Sequence, residues 1–210
     1  MPTASFKASF WDRLARKYAA QPIADAAAYE KTLQRTRAWL KPEDTVLELG
    51  CGTGSTAILH APHVHHITGS DISPEMITIA NEKLDTGGPA NADFIAATPD
   101  DTRFQAGAYD VVLTFNFLHL VEDLPATLQR IHTLLKPGGL LIAKTPCVGD
   151  MGIMPRLAVP VMRAFGRAPF VNFFSKDRFA AAVAEAGFTV EESGLHAATG
   201  HSLFVVGQRG

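Results

Sequence analysis

The stretch Glu48–Gly54, which reads ELGCGTG, follows directly on a short apolar run that begins at Thr45. Thr45–Leu49 is typical of a short buried β-strand, and the glycines directly after it indicate a sharp turn into a helix. Glycines at positions 50, 52 and 54 allow tight backbone conformations and a close approach of the backbone to a ligand. We therefore predict a ligand-binding turn between the first strand of a parallel sheet and the helix that follows it.

The glycine spacing separates this turn from two common nucleotide-binding turns. A dinucleotide-binding turn reads G-x-G-x-x-G, and Ser55 stands where its third glycine would fall. A P-loop ends in Gly-Lys-Ser/Thr, which does not follow here. An NAD-dependent or nucleotide-sugar oxidoreductase with an unusual turn stays open as an alternative.

Segments of strand and helix character alternate after the turn. Strands are expected at His65–Ser70, Asp93–Ala96, Tyr109–Phe115 and Leu140–Thr145, and helices at Pro74–Leu84 and Asp123–Leu135. The second helix is expected to stop at Lys136–Gly139, where a proline and a left-handed glycine end it. Such alternation predicts a mainly parallel sheet with helices on both faces.

Further helices and strands flank this alternating region. Residues 5–40 carry apolar side chains at helical spacing and predict two or three helices. Near the other end, a helix over Lys176–Ala186, with Ser175 as its cap, precedes strands over Phe188–Glu192 and Ser202–Gly207 that can pair antiparallel. The predicted fold class is α/β: a Rossmann-like, doubly wound, seven-stranded, mainly parallel sheet.

Composition and charge limit the possible functions. A chain of 210 residues fits one domain, and its net charge of −2 offers no basic excess for a nucleic-acid backbone, so we exclude nucleic acid as a partner. The two cysteines, Cys51 and Cys147, have no spacing typical of a metal site, and none is predicted. No apolar run has the length of a signal peptide core or a membrane span, so we expect a cytoplasmic protein.

The order of these motifs resembles that of class I S-adenosylmethionine-dependent methyltransferases, and it is similar to the ubiquinone/menaquinone-biosynthesis type of small-molecule methyltransferase. The pattern E-x-G-x-G-x-G at residues 48–54 resembles their first motif, and Asp71 resembles their ribose-binding acid. Leu134–Gly139, which reads LLKPGG, resembles the turn before their fifth strand. The resemblance implies S-adenosyl-L-methionine as cofactor, S-adenosyl-L-homocysteine as product and a small-molecule acceptor.

The same resemblance implies a set of cofactor-binding residues. They are Tyr18, Glu48, Gly50, Cys51, Gly52, Gly54, Asp71, Ile72, Met76, Ala97, Thr98, Asn116 and Phe117. The Asp71 carboxylate suits two ribose hydroxyls because it can accept two hydrogen bonds at once. For Glu48, contact with the methionine amino end and a charge that ties down the turn are equally open. Tyr18 is expected to close over the cofactor, whereas ordinary packing explains Trp11 at least as well.

The chemistry implied by the resemblance needs few catalytic side chains. Methyl transfer from a sulfonium is an in-line displacement, so the protein has to align the reactants and exclude water. A base is needed only where the acceptor must lose a proton, and the candidates are His119, His196 and His201. His119 is preferred because it follows the fourth strand. A non-catalytic regulatory protein that binds S-adenosylmethionine is the alternative, since the motifs report binding and not turnover.

We treat residues 1–210 as one domain in four parts: a helical cap (1–40), a cofactor-binding core (41–145), an apolar lid inserted after the fifth strand (146–175) and a final helix with an antiparallel strand pair (176–210). The lid region is predicted to be irregular, and we expect its apolar residues to cover something. They are Met151, Ile153, Met154, Leu157, Val159, Val161, Met162, Phe165, Phe170, Val171, Phe173 and Phe174.

Three coverings are open for residues 146–174: a small apolar or aromatic acceptor, which we favour, a second subunit, or a membrane surface. Arg156, Arg163 and Arg167 recur at spacings that place them on one helical face, and a membrane would be approached through them. The chain is accordingly expected to be a monomer or a homodimer.

Overall fold

The computed structural model describes residues 4–196 and 200–210, and within them seven strands form one sheet. The strands are β1 (Thr45–Leu49), β2 (His66–Asp71), β3 (Ala92–Ala96), β4 (Tyr109–Phe115), β5 (Leu135–Pro146), β6 (Phe188–Leu195) and β7 (Ser202–Arg209). Their order is β3-β2-β1-β4-β5-β7-β6. Strand β7 is antiparallel to both neighbours, and the other pairs are parallel. The predicted Rossmann-like, mainly parallel sheet and its antiparallel final pair are confirmed.

The described residues also contain seven α-helices. They are α1 (Ala4–Ala19), α2 (Ala26–Arg37), α3 (Ser55–His60), α4 (Pro74–Asp85), α5 (Leu124–Leu134), α6 (Ile153–Ala164) and α7 (Lys176–Glu185). Four of them begin at a side-chain cap that accepts a backbone N–H bond, given by Asp25, Ser73, Asp123 and Ser175. Such caps satisfy amides that have no partner inside the helix. The predicted cap at Ser175 is confirmed.

The sheet separates two hydrophobic cores because successive side chains of a strand point to opposite faces. Leu47 and Leu49 of β1 lie in the core that α5 and α7 cover, and Val46 lies in the core that α3 and α4 cover. Glu48 belongs to the same strand and is buried as well. A carboxyl group therefore lies inside an otherwise apolar strand, at the end nearest the glycine turn.

Helix α1 packs on α4 and not on the sheet. Trp11 and Ala15 of α1 pack against Met76 and Ile79 of α4 in a separate small core. This is the ordinary packing contact expected as one explanation of Trp11. Around it, the Asp12 carboxylate accepts hydrogen bonds from the Ser73 hydroxyl and the Glu75 amide, and Arg16 pairs with Glu75 and Glu82. These contacts hold the second half of α1 along α4, from its cap at Ser73 to Glu82.

Strand β5 is longer than the predicted Leu140–Thr145. Tyr109 pairs with Leu135, and Val111 already pairs with Leu140, so the residues Lys136–Gly139 form a bulge within the strand. The predicted end of the helix before Lys136–Gly139 is correct, since α5 ends at Leu134, and Gly138 has the predicted left-handed conformation with a φ of +76°. The strand begins early because Leu135 leaves α5 in an extended conformation and can pair at once.

The prediction that residues 146–174 are irregular is wrong, because they contain the 12-residue helix α6. Pro155 falls in its first turn, where no amide is needed, and Pro160 removes one hydrogen bond from a helix that otherwise continues. The helix ends at Ala164, so Arg167 lies outside it and does not share a helical face with the other two arginines.

The segment that carries α6 leaves and rejoins the body of the protein at one place. The Gly149 amide donates to the Phe174 carbonyl at 3.0 Å, and the Lys176 amide donates to the Asp150 carboxylate at 2.9 Å. We call residues 151–173 the α6 excursion, because their two ends are joined by these bonds.

Candidate functional site

The three glycines of the turn have left-handed φ angles of +71°, +54° and +75° at Gly50, Gly52 and Gly54. A Cβ atom on Gly50 would lie 2.5 Å from Phe117, and one on Gly54 would lie 2.6 Å from Phe94. Packing inside the protein therefore requires these two glycines. Around Gly52, by contrast, the Tyr18 ring at 3.9 Å is the one group of the described chain within 4 Å of that position. The middle glycine faces open space, where a ligand can approach the backbone.

Asp71, the last residue of β2, is bonded to this turn. One oxygen of its carboxylate accepts from the Gly52 amide at 3.0 Å, and the other accepts from the Ser73 amide at 2.9 Å. Burial raises the pKa of Asp71, while these backbone hydrogen bonds lower it. Each oxygen keeps a lone pair for a further donor, so the group can hold the turn and still bind two hydroxyls.

Glu48 is 2% exposed, and its Oε2 atom has no hydrogen-bond partner in the part of the chain that the structure describes. Burial, and then the nearby charge of Asp71, raise the pKa of Glu48 to about 8. A buried carboxyl without a partner is unfavourable, and a cationic group placed beside it would remove that cost. The group is thus suited to receive a ligand ammonium, and nothing in the described chain uses that atom to tie down the turn.

Two tyrosines of the helical cap lie near this carboxyl group. The Tyr18 side chain is half exposed, and burial followed by the charges of Asp71 and Glu48 raises its pKa. Tyr29 shares a hydrogen bond of 3.1 Å with the Thr56 hydroxyl at the start of α3. Tyr18 is therefore the cap residue that borders the open side of Gly52.

The loop after β3, where Ala97 and Thr98 were predicted to contact the cofactor, is held by arginines. The Ala97 amide donates to the Asp71 carbonyl at 2.9 Å. Asp101 is bonded to Arg103, which lowers the Asp101 pKa to about 2. Arg130 donates to three carbonyls of this loop, those of Pro99, Asp101 and Phe104. The sequence did not indicate a role for either arginine, because neither belongs to a recognisable motif.

At the end of β4, Asn116 has a φ of +53° and is the one non-glycine residue with a positive φ in residues 4–196 and 200–210. Its amide donates to the Lys144 carbonyl at 2.8 Å, and its side chain is exposed. Phe117 follows and packs against Gly50. A left-handed asparagine at a strand end is a form of local strain that clusters at functional sites.

The structure separates the three candidate histidines. His119 lies in the short helical turn after β4, 3.4 Å from the Thr145 hydroxyl, and burial lowers its pKa to about 4. His196 is bonded to Thr32 at 3.0 Å and packs on Phe204, and burial lowers its pKa to about 4 as well. His201 is exposed at the start of β7. Of the three, His119 is the one in the loop that packs on the glycine turn.

The remaining predicted site residues occupy different surroundings. Cys51 is buried in the turn itself as a free thiol, and burial raises its pKa. Ile72 follows β2 directly and is half-buried. The Met76 side chain is 3% exposed and packs between α1 and α4, which makes it a core residue of the helical cap.

An open cleft of about 760 Å³ lies between α6 and the chain that returns from it. Its lining is given by Val159, Pro160, Arg163, Ala164, Phe170, Val171, Asn172 and Phe173. The Arg163 guanidinium lies 5.1 Å from the centre of the Phe170 ring. The Asn172 amide donates to the His119 carbonyl at 2.7 Å, so the cleft is joined to the loop that packs on the glycine turn.

The other side of α6 does not match the expectation that the apolar residues of this segment cover something. Six of them are exposed in the structure, namely Ile153, Met154, Leu157, Val161, Met162 and Phe165. Phe174 instead belongs to the core beneath α7. The apolar residues of the excursion therefore form separate groups, because the helix turns some toward the cleft and others outward.

Comparison with known proteins adds to this geometry. Residues 16–193 match a family model described as a methyltransferase domain. The chain is 27% identical over 167 residues to a ubiquinone biosynthesis O-methyltransferase of Xanthomonas axonopodis pv. citri, a match that covers 76% of this chain and 69% of that protein.

Longer proteins contain a similar stretch. The reducing polyketide synthase Preu2 of Preussia isomera is 34% identical over 129 residues, which are 55% of this chain and 5% of that protein. The chain thus spans about 5% of the length of the first polyketide synthases it matches.

In structure, the chain is similar to a putative methyltransferase solved in complex with the Trm112 activator of Haloferax volcanii. The TM-score is 0.75 at 20% identity, and the match covers 94% of this chain and 96% of that one. At this identity the likeness concerns the fold.

Proposed function

Since this chain belongs to the class I S-adenosylmethionine-dependent methyltransferases, we propose that it moves a methyl group to a small apolar or aromatic acceptor. S-adenosyl-L-methionine is the cofactor of this family, and S-adenosyl-L-homocysteine is its product. When bound, the cofactor supplies an electrophilic methyl group for in-line displacement, while the protein aligns the acceptor and keeps water away.

One observation carries the cofactor part of the proposal: a buried carboxyl without a partner lies beside a glycine that faces open space. Glu48 would receive the cationic amino group of the cofactor, and Gly52 would let the ligand approach the backbone. Asp71 keeps lone pairs for the two ribose hydroxyls. In this arrangement Tyr18 covers the open side of Gly52 and excludes water.

The apolar cleft beside α6 supports the acceptor part. Its lining of valine, proline and phenylalanine side chains suits an apolar or aromatic body, and Arg163 adds one cation to it. A relative named for ubiquinone biosynthesis is in accord with an acceptor of this kind. Asn172 joins the cleft to His119, whose imidazole is neutral at pH 7 and free to accept a proton, although burial lowers its pKa to about 4 and makes it a weak base. His119 would take a proton where the acceptor has to lose one.

The first experiment separates the classes of ligand. Calorimetric titration with S-adenosylhomocysteine should give saturable binding, and titration with NAD(H) should give none. Transfer of a labelled methyl group to a panel of small aromatic and apolar acceptors then tests turnover. Binding of S-adenosylhomocysteine without transfer to any acceptor would favour the regulatory alternative, and binding of NAD(H) alone would overturn the proposal.

A second experiment tests the cleft. Ala164 lines it, and Ala158 of the same helix is exposed and outside it. Ala164→Trp should fill the cleft and abolish methyl transfer while S-adenosylhomocysteine still binds, and Ala158→Trp should preserve both. Equal activity of the two variants would place the acceptor elsewhere.

A further inference from the structure

The outward face of α6 is an apolar surface without a partner in the described chain. We define it by the six exposed residues Ile153, Met154, Leu157, Val161, Met162 and Phe165. Phe165 is 76% exposed and Ile153 is 69% exposed, and none of the residues of α6 is buried. Six exposed apolar side chains on three turns of helix form a contiguous patch, which marks an interaction site.

The orientation of α6 is the reverse of that of an ordinary surface helix. An amphipathic helix normally turns its apolar side toward the core. In α6 the residues that face the protein across the cleft are Val159, Pro160, Arg163 and Ala164, while the six large apolar side chains of the outward face point away from it. The sequence of α6 therefore supplies an apolar side that the fold of this chain does not use.

The charged residues of the segment that carries the outward face have one sign. Residues 151–175 contain Arg156, Arg163 and Arg167 and no acidic residue, although the whole chain has a net charge of −2. Arg167 is exposed and comes two residues after Phe165, at the end of the helix. Arg163 lies on the cleft side of the helix and Arg156 donates to the Gly149 carbonyl. Since a helix is about 10 Å across, both charges still lie within roughly one Debye length, 8–10 Å, of a surface that the apolar face would touch.

We propose that the outward face of α6 docks on an anionic lipid surface, with its apolar side chains in the headgroup and acyl boundary. A short helix with one apolar side and only basic charges is the pattern of an interfacial helix. No helix in residues 4–196 and 200–210 is long and apolar enough to cross a bilayer, so this is docking on one surface. The inference does not depend on the proposed methyl transfer.

Two other occupants fit the observations less well. A second copy of α6 would bring like charges together without an acidic partner in the segment. The third occupant is an acceptor in the cleft. For the outward face to cover it, the helix would have to turn about half a revolution and withdraw Arg163 from the cleft.

Docking would also place the cleft next to the membrane, because the cleft lies on the inner side of the same helix. An apolar acceptor dissolved in the lipid would then have a short path to it.

The test uses the full chain and vesicles of phosphatidylcholine, either pure or with phosphatidylglycerol as about a third of the lipid. The charge and apolar area of α6 predict co-sedimentation with the anionic vesicles and at least tenfold weaker binding to the neutral ones. Raising the salt should weaken the anionic binding, since exposed charges are screened. The variant Leu157→Glu/Phe165→Glu should lose at least tenfold in binding.

The control variant Ile23→Glu/Leu59→Glu changes two exposed apolar residues outside α6 and should bind the vesicles as the native chain does. Calorimetry with S-adenosylhomocysteine should give the same affinity for all three proteins, which separates this inference from the proposed function. Absence of vesicle binding by the native chain, or equal losses in both variants, would overturn the inference. So would a native dimer that Leu157→Glu/Phe165→Glu converts to a monomer without any effect on vesicles, because the occupant would then be a second copy.

Discussion

The Tyr18 ring lies 3.9 Å from the point where a Cβ atom on Gly52 would stand. Tyr18 belongs to α1 and Gly52 to the turn after β1, and α1 reaches the turn because it packs on α4 through Ala15 and Met76. A space bordered by these two residues is left open in the described chain. Tyr18 thus connects the helical cap to the ligand-binding turn.

Tyr18→Ala should weaken S-adenosylhomocysteine binding by about 1–2 kcal/mol, the value expected when an aromatic ring that covers a ligand is removed. Tyr18→Phe keeps the ring and should retain most of the affinity. Leu14→Ala, a change at another exposed residue of α1, is the matched control and should have no effect. Calorimetric affinities equal for Tyr18→Ala and Leu14→Ala would remove Tyr18 from the site.

Gly52→Val should abolish binding because the new side chain would occupy the open space, in addition to straining a backbone with a φ of +54°. Gly138→Val is the control, since Gly138 has a φ of +76°, has nothing within 4 Å of its Cβ position in the described chain and lies in the bulge of β5. Both variants should lose about 1–2 kcal/mol of stability from a left-handed L-residue. Thermal unfolding measures the loss of stability, and calorimetry measures the affinity. Normal binding by folded Gly52→Val would show that the ligand does not approach Gly52.

Asp71→Ala should weaken binding of S-adenosylmethionine or S-adenosylhomocysteine by about 1–3 kcal/mol, the value of charge-assisted hydrogen bonds. The variant also loses the acceptor for the Gly52 and Ser73 amides, so its melting temperature should fall. Asp123→Ala removes a carboxylate that caps α5 and accepts from the Ala126 amide, and it should lower stability by about 1 kcal/mol without changing the affinity. Unchanged affinity in Asp71→Ala would contradict the assignment.

Ligand binding should release about one proton from Glu48 at pH 7, because a carboxyl with a pKa of about 8 holds its proton there and a cationic amino group favours the charged form. The affinity should therefore rise with pH up to about 8 and then level off. Calorimetry in buffers with different heats of ionisation measures the proton count. Glu48→Gln should bind with no such release, and a native count of zero would argue against a cation at this carboxyl.

Glu48 also gives the stability of the ligand-free protein a pH dependence of known sign. Its folded pKa is raised above the unfolded value of 4.5, so its contribution is fully present below about pH 4.5 and is lost as the pH rises toward 8. Denaturant unfolding of Glu48→Gln, compared with the native chain at pH 5 and pH 8, should show a smaller loss of stability at pH 8. A larger loss in the variant would mean that the carboxylate has a partner.

Replacing the α6 excursion with a short glycine-serine linker should leave S-adenosylhomocysteine affinity nearly intact, because the Gly149 to Phe174 hydrogen bond already joins its ends. Methyl transfer should be lost with the cleft, and vesicle binding should be lost with the outward face. Unfolding of the shortened chain would be visible by circular dichroism before either assay. Retained methyl transfer would show that the acceptor does not use this cleft.

Apart from α6, the order of strands and helices was predictable from the sequence, as were the glycine turn and the acid at the end of β2. These features depend on short-range physics: the period of apolar side chains and the freedom of glycine at positive φ. Thr45–Leu49 and Tyr109–Phe115 are strands over their predicted bounds. Each of these features is decided by residues only a few positions apart in the chain, so it can be predicted directly from the sequence.

The tertiary structure decided which residues meet and which way each face points. Nothing local indicates that Glu48 lacks a partner, that Arg130 holds the loop after β3 or that Met76 packs against α1, because each depends on groups from other elements. The same holds for α6, because even a helical period does not tell which side of a helix faces the protein. Where α6 sits depends on contacts such as the Gly149–Phe174 hydrogen bond, which joins residues far apart in the chain, and such contacts form only when the whole core packs.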